Sequence, residues 1–449
     1  MLQARHALLA EGWRRDVRVH LAGGVIAAIE CDVPPGRGDE VVEVLLPGMP
    51  NVHSHAFQRG MAGQTEVRGD TPDSFWTWRE AMYRYALTMS PDDTQAIAAE
   101  LYAEMLEAGF TRIGEFHYLH HDRDGRPYAD VGEMAARICA AAAETGIGLT
   151  LLPAFYAHSN FGGAPPAAGQ RRFINDLDTF AALVARCRYH AARIEGAVVG
   201  VAPHSLRAVT PDELSVLVTL EPRSPLHIHA AEQIKEVDDC LAWSSRRPVQ
   251  WLLDNAPVDA RWCLIHATHM TVAETEALAR TGAVVGLCPV TEANLGDGIF
   301  NGAVFAAAGG RIGIGSDSNI LIAIPDELRQ LETTQRLRDH ARNVLAIAGG
   351  STGRALYERA LAGGTQALGA PDPQLCVGAP ADLVSLSLAA PQFAGRRAEE
   401  ILDTWIFTGA RAVDGVWVGG KRRVTGGRHH DRDAIERRFR TAMAKLAGA

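Results

Sequence analysis

The stretch Leu45-Leu46-Pro47-Gly48-Met49-Pro50-Asn51-Val52-His53-Ser54-His55 is an apolar run that ends in a His-x-His pair. Side chains two apart on an extended strand share a face, so His53 and His55 can offer two imidazoles to one ion. An isolated His-x-His beside a Pro/Gly turn reads most simply as two solvated or hydrogen-bonded histidines. Three further runs change that reading. Leu226-His227-Ile228-His229-Ala230-Ala231-Glu232, Leu264-Ile265-His266 and Ile314-Gly315-Ser316-Asp317 each put a metal-ligand type at the end of an apolar, strand-like segment.

Upstream of this stretch, short alternating segments at 16–21, 24–29 and 41–44 are separated by Gly and Pro, which predicts antiparallel strands. From Pro47 the rhythm becomes apolar strand, loop and long helical pattern, repeated, as in βα units on a parallel sheet. After the strand that ends at His53, further strands are expected at 112–116, 148–154, 197–202, 226–229, 262–266, 283–288 and 311–315. Amphipathic helices are expected over 90–108, 130–145, 176–194, 271–281 and 325–348, with a last barrel helix at 351–368. Ser90-Pro91-Asp92-Asp93 and Thr210-Pro211-Asp212-Glu213 open helices with an N-cap, a first-turn Pro and early carboxylates. The expected fold class is therefore α/β, a (β/α)8 TIM-like barrel. Segments 378–386 and 415–424 return to short strands, so both chain ends are expected to build one small β-sandwich. The expected domains are 1–46 and 371–427 for the two parts of the sandwich, 47–370 for the barrel and 428–449 for a C-terminal helix. The loop 156–170, with Gly162-Gly163 and Pro165-Pro166, should lie over the barrel mouth.

A chain of 449 residues suits a barrel with a small appendage. No apolar run reaches the roughly 18 residues of a membrane span. Residues 1–6 lack a basic segment leading into an apolar core and cleavage site, so a cytoplasmic protein is expected. The 7 cysteines are scattered without Cys-x-x-Cys spacing and read as reduced thiols. A net charge of -9 without a long basic run argues against nucleic acid and for small-molecule partners. Lys235, Lys421 and Lys445 are the only lysines, which excludes chemistry that needs one earlier in the chain.

Barrel enzymes assemble their sites at the carboxyl ends of different strands. His53 and His55 end strand one, His229 ends strand five, His266 ends strand six and Asp317 follows strand eight. Three imidazoles and a carboxylate suit Zn²⁺, and Fe²⁺ also fits. Glu232, three residues after His229, faces the same side if a helical turn starts there and is then placed to move protons. Standing alone it would read as a first-turn carboxylate favoured by the helix dipole. His227, His269, His117, His120, His121 and His158 stay outside the metal shell.

This set resembles the amidohydrolase superfamily of metal-dependent hydrolases over essentially the whole chain, from the opening Pro47–His55 run to the closing Ala381-Asp382-Leu383-Val384. Binuclear members carry a strand-four lysine or glutamate, whereas Val198-Val199-Gly200-Val201-Ala202-Pro203-His204 has neither. The resemblance thus implies one metal, as in the superfamily's deaminases, whose His-x-x-Glu is reproduced by His229 and Glu232. Within the superfamily the chain is similar to the formimidoylglutamate deiminases. The matching segments are His53-Ser54-His55-Ala56-Phe57-Gln58-Arg59-Gly60, Phe75-Trp76-Thr77-Trp78-Arg79, Gly114-Glu115-Phe116-His117-Tyr118, His204-Ser205-Leu206-Arg207 and Cys288–Gly298.

That likeness implies hydrolysis of N-formimino-L-glutamate to N-formyl-L-glutamate and ammonia in histidine degradation, by a homodimer. Catalysis would fall to Asp317 as ligand and proton acceptor, Glu232 as proton donor to the leaving nitrogen and His266 as a charge stabiliser. Two substrate carboxylates call for arginine, with Arg207 first and Arg79 next, from its own chain or a partner subunit. Gln58, Tyr118 and His204 follow on the same rim. Two alternatives stand beside this reading: a deaminase of an aromatic base or N-heterocycle, and a non-catalytic barrel scaffold. An arginine-lined pocket would argue against the first, and the presence of all six metal-shell and proton-transfer residues argues against the second.

Overall fold

The computed structural model describes residues 1–70 and 73–448. The βα rhythm appears as two runs of parallel strands. Met49–Ser54, Phe110–His117, Gly148–Phe155 and Val198–Val199 form the first, and Leu226–Ala230, Trp262–His266, Val284–Leu287 and Arg311–Ile314 form the second. Isolated parallel bridges Val201↔Leu226 and Ser54↔Asp317 join the two runs at both edges. Every residue of Gly148–Phe155 is buried, as expected for a strand covered on both faces.

The strand expected at 197–202 is broken into Val198–Val199 and Ala202–Pro203. Both pieces pair with Gly148–Phe155, while Val201 between them turns to bridge Leu226. Gly200 permits the switch, since a Cβ there would stand 2.5 Å from the Pro225 carbonyl oxygen. The helix expected over 325–348 is Ile324–Asp339 and stops early, where His340 takes φ 51 and donates its N–H to the Arg336 carbonyl. Helices Pro91–Glu107 and Pro211–Leu220 begin where their caps predict: Ser90 and Thr210 accept the N–H groups of Asp93 and Glu213.

The chain ends meet in a continuous eight-stranded sheet. Its order is Arg428–His429, Lys421–Thr425, Val413–Val418, Leu383–Leu386, Glu40–Pro47, Leu2–Leu9, Gly12–Ala22 and Val25–Glu30. One pairing differs from the antiparallel expectation, because Leu2–Leu9 lies parallel to Glu40–Pro47. The hairpin of Gly12–Ala22 and Val25–Glu30 occupies one edge of Leu2–Leu9, so the returning chain must take the other. Glu40–Pro47 then hands directly to Met49–Ser54 at Gly48, where a Cβ would come 2.3 Å from Thr111 Cγ2. Val44, Leu46, Val384 and Val416 belong to the same apolar core as the helices around the parallel strands. Leu2, Val17, Ile26 and Trp417 build a separate core within the terminal sheet.

The final helix, Arg432–Ala447, packs on Pro91–Glu107. Beyond Tyr156, the loop is pinned by Phe161 stacked on Trp243 and by Gln170, whose side chain donates to Tyr156 Oη at 2.8 Å. All seven cysteines are free thiols, five of them buried. No helix among the described residues is long and apolar enough to cross a membrane.

Candidate metal centre and substrate pocket

The strand ends bring four donors together. Nε2 of His53 and Nε2 of His55 lie 3.4 and 3.3 Å from Asp317 Oδ1. His229 Nε2 lies 3.1 Å from His53 Nε2, and the donor atoms of all four residues fall within 4.8 Å of one another. His55 Nδ1 donates to the Phe116 carbonyl and His229 Nδ1 to the His204 carbonyl, each at 2.9 Å. A carbonyl only accepts, so both Nδ1 atoms carry the hydrogen and both Nε2 lone pairs face inward. Burial lowers the pKa of all three imidazoles and keeps them neutral. Neutral imidazoles converging on a carboxylate form a donor set that fits a divalent cation.

Strand one is clamped to the end of strand eight by a buried polar chain that sequence reading missed. Asn51 Nδ2 donates to Ser316 Oγ at 2.7 Å, and Ser316 Oγ donates to Asn319 Oδ1 at 2.6 Å. Asn319 Nδ2 returns to Ser54 Oγ and to the His55 carbonyl, both at 3.1 Å. Asp317 and Asn319 hold φ of 46 and 59, a left-handed backbone that asparagine and aspartate tolerate better than other non-glycine residues.

His266 stands beside this centre. Its Nδ1 meets Glu292 Oε1 at 3.2 Å, and its Nε2 lies 3.6 Å from Glu232 Oε1 and 3.8 Å from Asp317 Oδ2. Burial disfavours its charge, but Glu232, Glu292 and Asp317 outweigh burial and raise it to about 10. Glu292 also went unassigned in the sequence, although it sits inside the Cys288–Gly298 motif and accepts the Cys288 N–H. Burial pushes the Glu232 carboxyl up, against the pull of His266 and Arg207. Glu232 is not on a helical turn, since the next helix begins at Ile234. Its direction comes from Ala231, with φ 50, and from Glu236, whose carboxylate accepts the N–H groups of Ala231 and Glu232 at 3.1 Å each.

Gln58, Arg79, Tyr118, His204 and Arg207 all line one pocket with His55, His229, Glu232 and Asp317. Arg79 reaches it from its own chain. Phe75, Trp78 and Leu295, which lie in the matching segments without an assigned role, complete the wall with Met82, Tyr83, Tyr156 and Phe173. Arg207 is 5% exposed, and its nearest carboxylate oxygen is Glu232 Oε2 at 3.9 Å. Among the described residues neither Arg79 nor Arg207 has a hydrogen-bond acceptor, and the Nε of each is buried without a partner. Gln58 Nε2 donates to Tyr118 Oη at 2.8 Å. The other histidines serve the scaffold: His227 meets the Ala367 carbonyl at 2.7 Å, His120 that of Ala154 at 2.9 Å, His121 that of Ile174 at 2.8 Å and His269 that of Asp297 at 2.8 Å. His158 pairs with Glu213 at 2.9 Å, and the His117 ring packs on His120.

Residues 44–423 match the amidohydrolase family, and residues 1–42 match the N-terminal domain of formimidoylglutamate deiminase HutF. The chain is 51% identical to the formimidoylglutamate deiminase of Pseudomonas aeruginosa, over 99% of this chain and 98% of that one. The chain belongs to the amidohydrolase family. It is a hydrolase acting on carbon–nitrogen bonds, in a metal-dependent family of TIM-barrel-type α/β fold. A crystal structure of an amidohydrolase from Brucella melitensis superposes on this amidohydrolase with a TM-score of 0.97, at 60% identity over 99% of both chains. An adenosine deaminase from Xanthomonas campestris, solved with bound zinc, shares the fold with a TM-score of 0.83 at 21% identity, over 100% of this chain and 98% of that one.

Proposed function

We propose that this amidohydrolase hydrolyses N-formimino-L-glutamate to N-formyl-L-glutamate and ammonia. The observation that carries the reading is a pair of guanidinium groups, Arg79 and Arg207, left without hydrogen-bond acceptors among the described residues in the pocket that also reaches His55, His229 and Asp317. Buried guanidinium groups call for carboxylates, and a dicarboxylate would satisfy both. Overall identity to a curated formimidoylglutamate deiminase supports the same substrate.

His53, His55, His229 and Asp317 would hold the ion. The chemistry a divalent cation would supply there is a water whose pKa falls to about 7, a nucleophile at neutral pH. Asp317 Oδ2, turned toward His266, takes the proton that water gives up. Glu232, kept receptive to a proton by burial, delivers one to the imino nitrogen. The imino nitrogen gains both hydrogens of the water and departs as ammonia, while the oxygen stays on carbon as the formyl group. His266, held by Glu292, faces both carboxylates and steadies the developing charge. Arg207 and Arg79 bind the two substrate carboxylates, with Gln58, Tyr118 and His204 along the same wall.

The same reading takes Zn²⁺ as the ion, one per chain, in keeping with three imidazoles and a carboxylate. It carries with it a homodimer working in the cytoplasm, in histidine degradation. It also closes the two parallel runs into one barrel spanning 47–370, supported by the bridges at both edges. Residues 1–46 and 371–427 would form the small β-sandwich, supported by the separate core of Leu2, Val17, Ile26 and Trp417; the helix expected over 428–449 starts only at Arg432, because Arg428–His429 still pairs at the sheet edge.

Ammonia release assayed across N-formimino-L-glutamate, its aspartate homologue and a panel of purine and pyrimidine bases tests the substrate. The glutamate compound should be turned over fastest. A base that outpaces it would replace this reading with that of an aromatic deaminase.

A further inference from the structure

The helix Phe75–Ala86 turns Phe75, Trp78, Arg79 and Met82 toward the pocket. Trp76, half-buried, lies outside that wall, yet three cations gather on its ring. Arg79 Cζ stands 4.5 Å from the ring centroid, Arg207 Cζ 5.7 Å and Lys235 Nζ 5.7 Å. They arrive from three separate elements: the Phe75–Ala86 helix itself, the loop after Ala202–Pro203, and the first turn of Ile234–Ser244.

Three like charges around one point repel. Lys235 has a close carboxylate partner, Asp239 at 2.8 Å, whereas Arg207 has only Glu232 at 3.9 Å and neither Arg79 nor Arg207 has a hydrogen-bond acceptor among the described residues. The negative face of the indole is the one attraction that Arg79 and Arg207 share, beside Glu232 for Arg207 and the Tyr83 ring for Arg79. A side chain that only filled space would not be ringed by cations from three elements.

We propose that Trp76 is a positioning residue that sets Arg79 and Arg207 as a preformed clamp for a dicarboxylate, with Lys235 completing a cationic rim at the pocket mouth. The ligand class rests on the deiminase reading. Without the ring, Arg207 would relax toward Glu232 and Arg79 toward solvent, and substrate would have to reassemble the clamp on binding. The rim also places local positive charge on a chain whose net charge is -9, which favours capture of dianions.

Steady-state kinetics of the metal-replete enzyme on N-formimino-L-glutamate and on N-butylformamidine, which lacks both carboxylates, test this. Trp76→Leu should raise KM for the dicarboxylate about tenfold and leave kcat within about twofold, as expected for a cation–π contribution near the middle of its range. Trp76→Phe, which keeps a weaker ring face, should raise KM only about threefold. Kinetics on N-butylformamidine should not move for either variant. Lys235→Gln should lower kcat/KM for the dicarboxylate about threefold at low salt, a difference that high salt erases.

Equal losses on both compounds would make Trp76 a structural support and overturn the proposal, as would an unchanged KM in Trp76→Leu. If Trp76→Leu fails to fold, Trp76→Phe decides by the same contrast between substrates. A wild-type enzyme active on N-formimino-L-glutamate whose Trp76 variants match it overturns this inference alone. A wild-type enzyme inactive on that compound overturns the deiminase reading and this inference together.

Discussion

Glu232 faces His266 at 3.6 Å and Arg207 at 3.9 Å, so its carboxyl stands between the candidate metal ligands and the arginine-bearing wall. Glu232→Gln preserves the shape but removes the proton. Turnover should fall ~10²–10⁴-fold while metal analysis of washed protein still finds one ion per chain. Wild-type turnover in the metal-replete variant would take Glu232 out of the reaction. Arg207→Met should cost ~2–5 kcal/mol in kcat/KM for N-formimino-L-glutamate, because a buried charge loses its partner. The same variant should leave a carboxylate-free formamidine almost unaffected, and parallel kinetics on the two compounds would show whether the loss is instead one of folding. The candidate ligands were legible at this scale because each of His53, His55, His229 and Asp317 closes an apolar run. Glu292 and Tyr156 were not, because their reach into the site depends on how a helix and a loop dock, which no local pattern encodes. The direction of Glu232 was legible only in part, since a left-handed Ala231 rather than a helical turn sets it.

Strands and helices differ in how openly they declare themselves. Pro91–Glu107 and Pro211–Leu220 could be placed from cap, proline and early carboxylates, all of them local signals. The break in 197–202 could not, because Val201 leaves its neighbour to bridge Leu226, a tertiary choice. Nor could the early end of Ile324–Asp339, where the amphipathic pattern runs on past the left-handed His340. In the seam between the ends of strands one and eight, Asn319, with a backbone φ of 59, donates to both Ser54 and the His55 carbonyl. Asn319→Ala takes one hydrogen-bond partner from each of the buried Ser54 hydroxyl, the His55 carbonyl and the Ser316 hydroxyl. It should destabilise the fold by about 2–4 kcal/mol and speed loss of the metal to a chelator. Thermal melts and metal-release rates measure the two effects separately; a lowered melting temperature with unaltered release would mean that the seam supports the fold without setting the ligands.

The terminal sheet and the parallel strands share one apolar core through Val44, Leu46, Val384 and Val416. Calorimetry and near-ultraviolet dichroism should therefore report a single coincident unfolding transition. A chain shortened to begin at residue 41 should fail to fold into a metal-binding protein, whereas two separate transitions would mean that sheet and barrel are independent units. The meeting of the chain ends was legible from the return of short strands after 378, while the parallel pairing of Leu2–Leu9 with Glu40–Pro47 was not, because it depends on which edge the hairpin leaves open. The bridge Ser54↔Asp317 has a further consequence during synthesis. The His55 carbonyl and Asn319, the contact that shuts the seam, lie 264 residues apart. At about 5–20 residues per second a ribosome needs roughly ten seconds to a minute to cover that distance. Throughout that interval His53 and His55 of the nascent chain stand without Asp317 beside them, and the first strand waits for the last. On the proposed ligand set the ion would load among the final events of biogenesis, and a chain cut short before Asp317 would carry no complete centre.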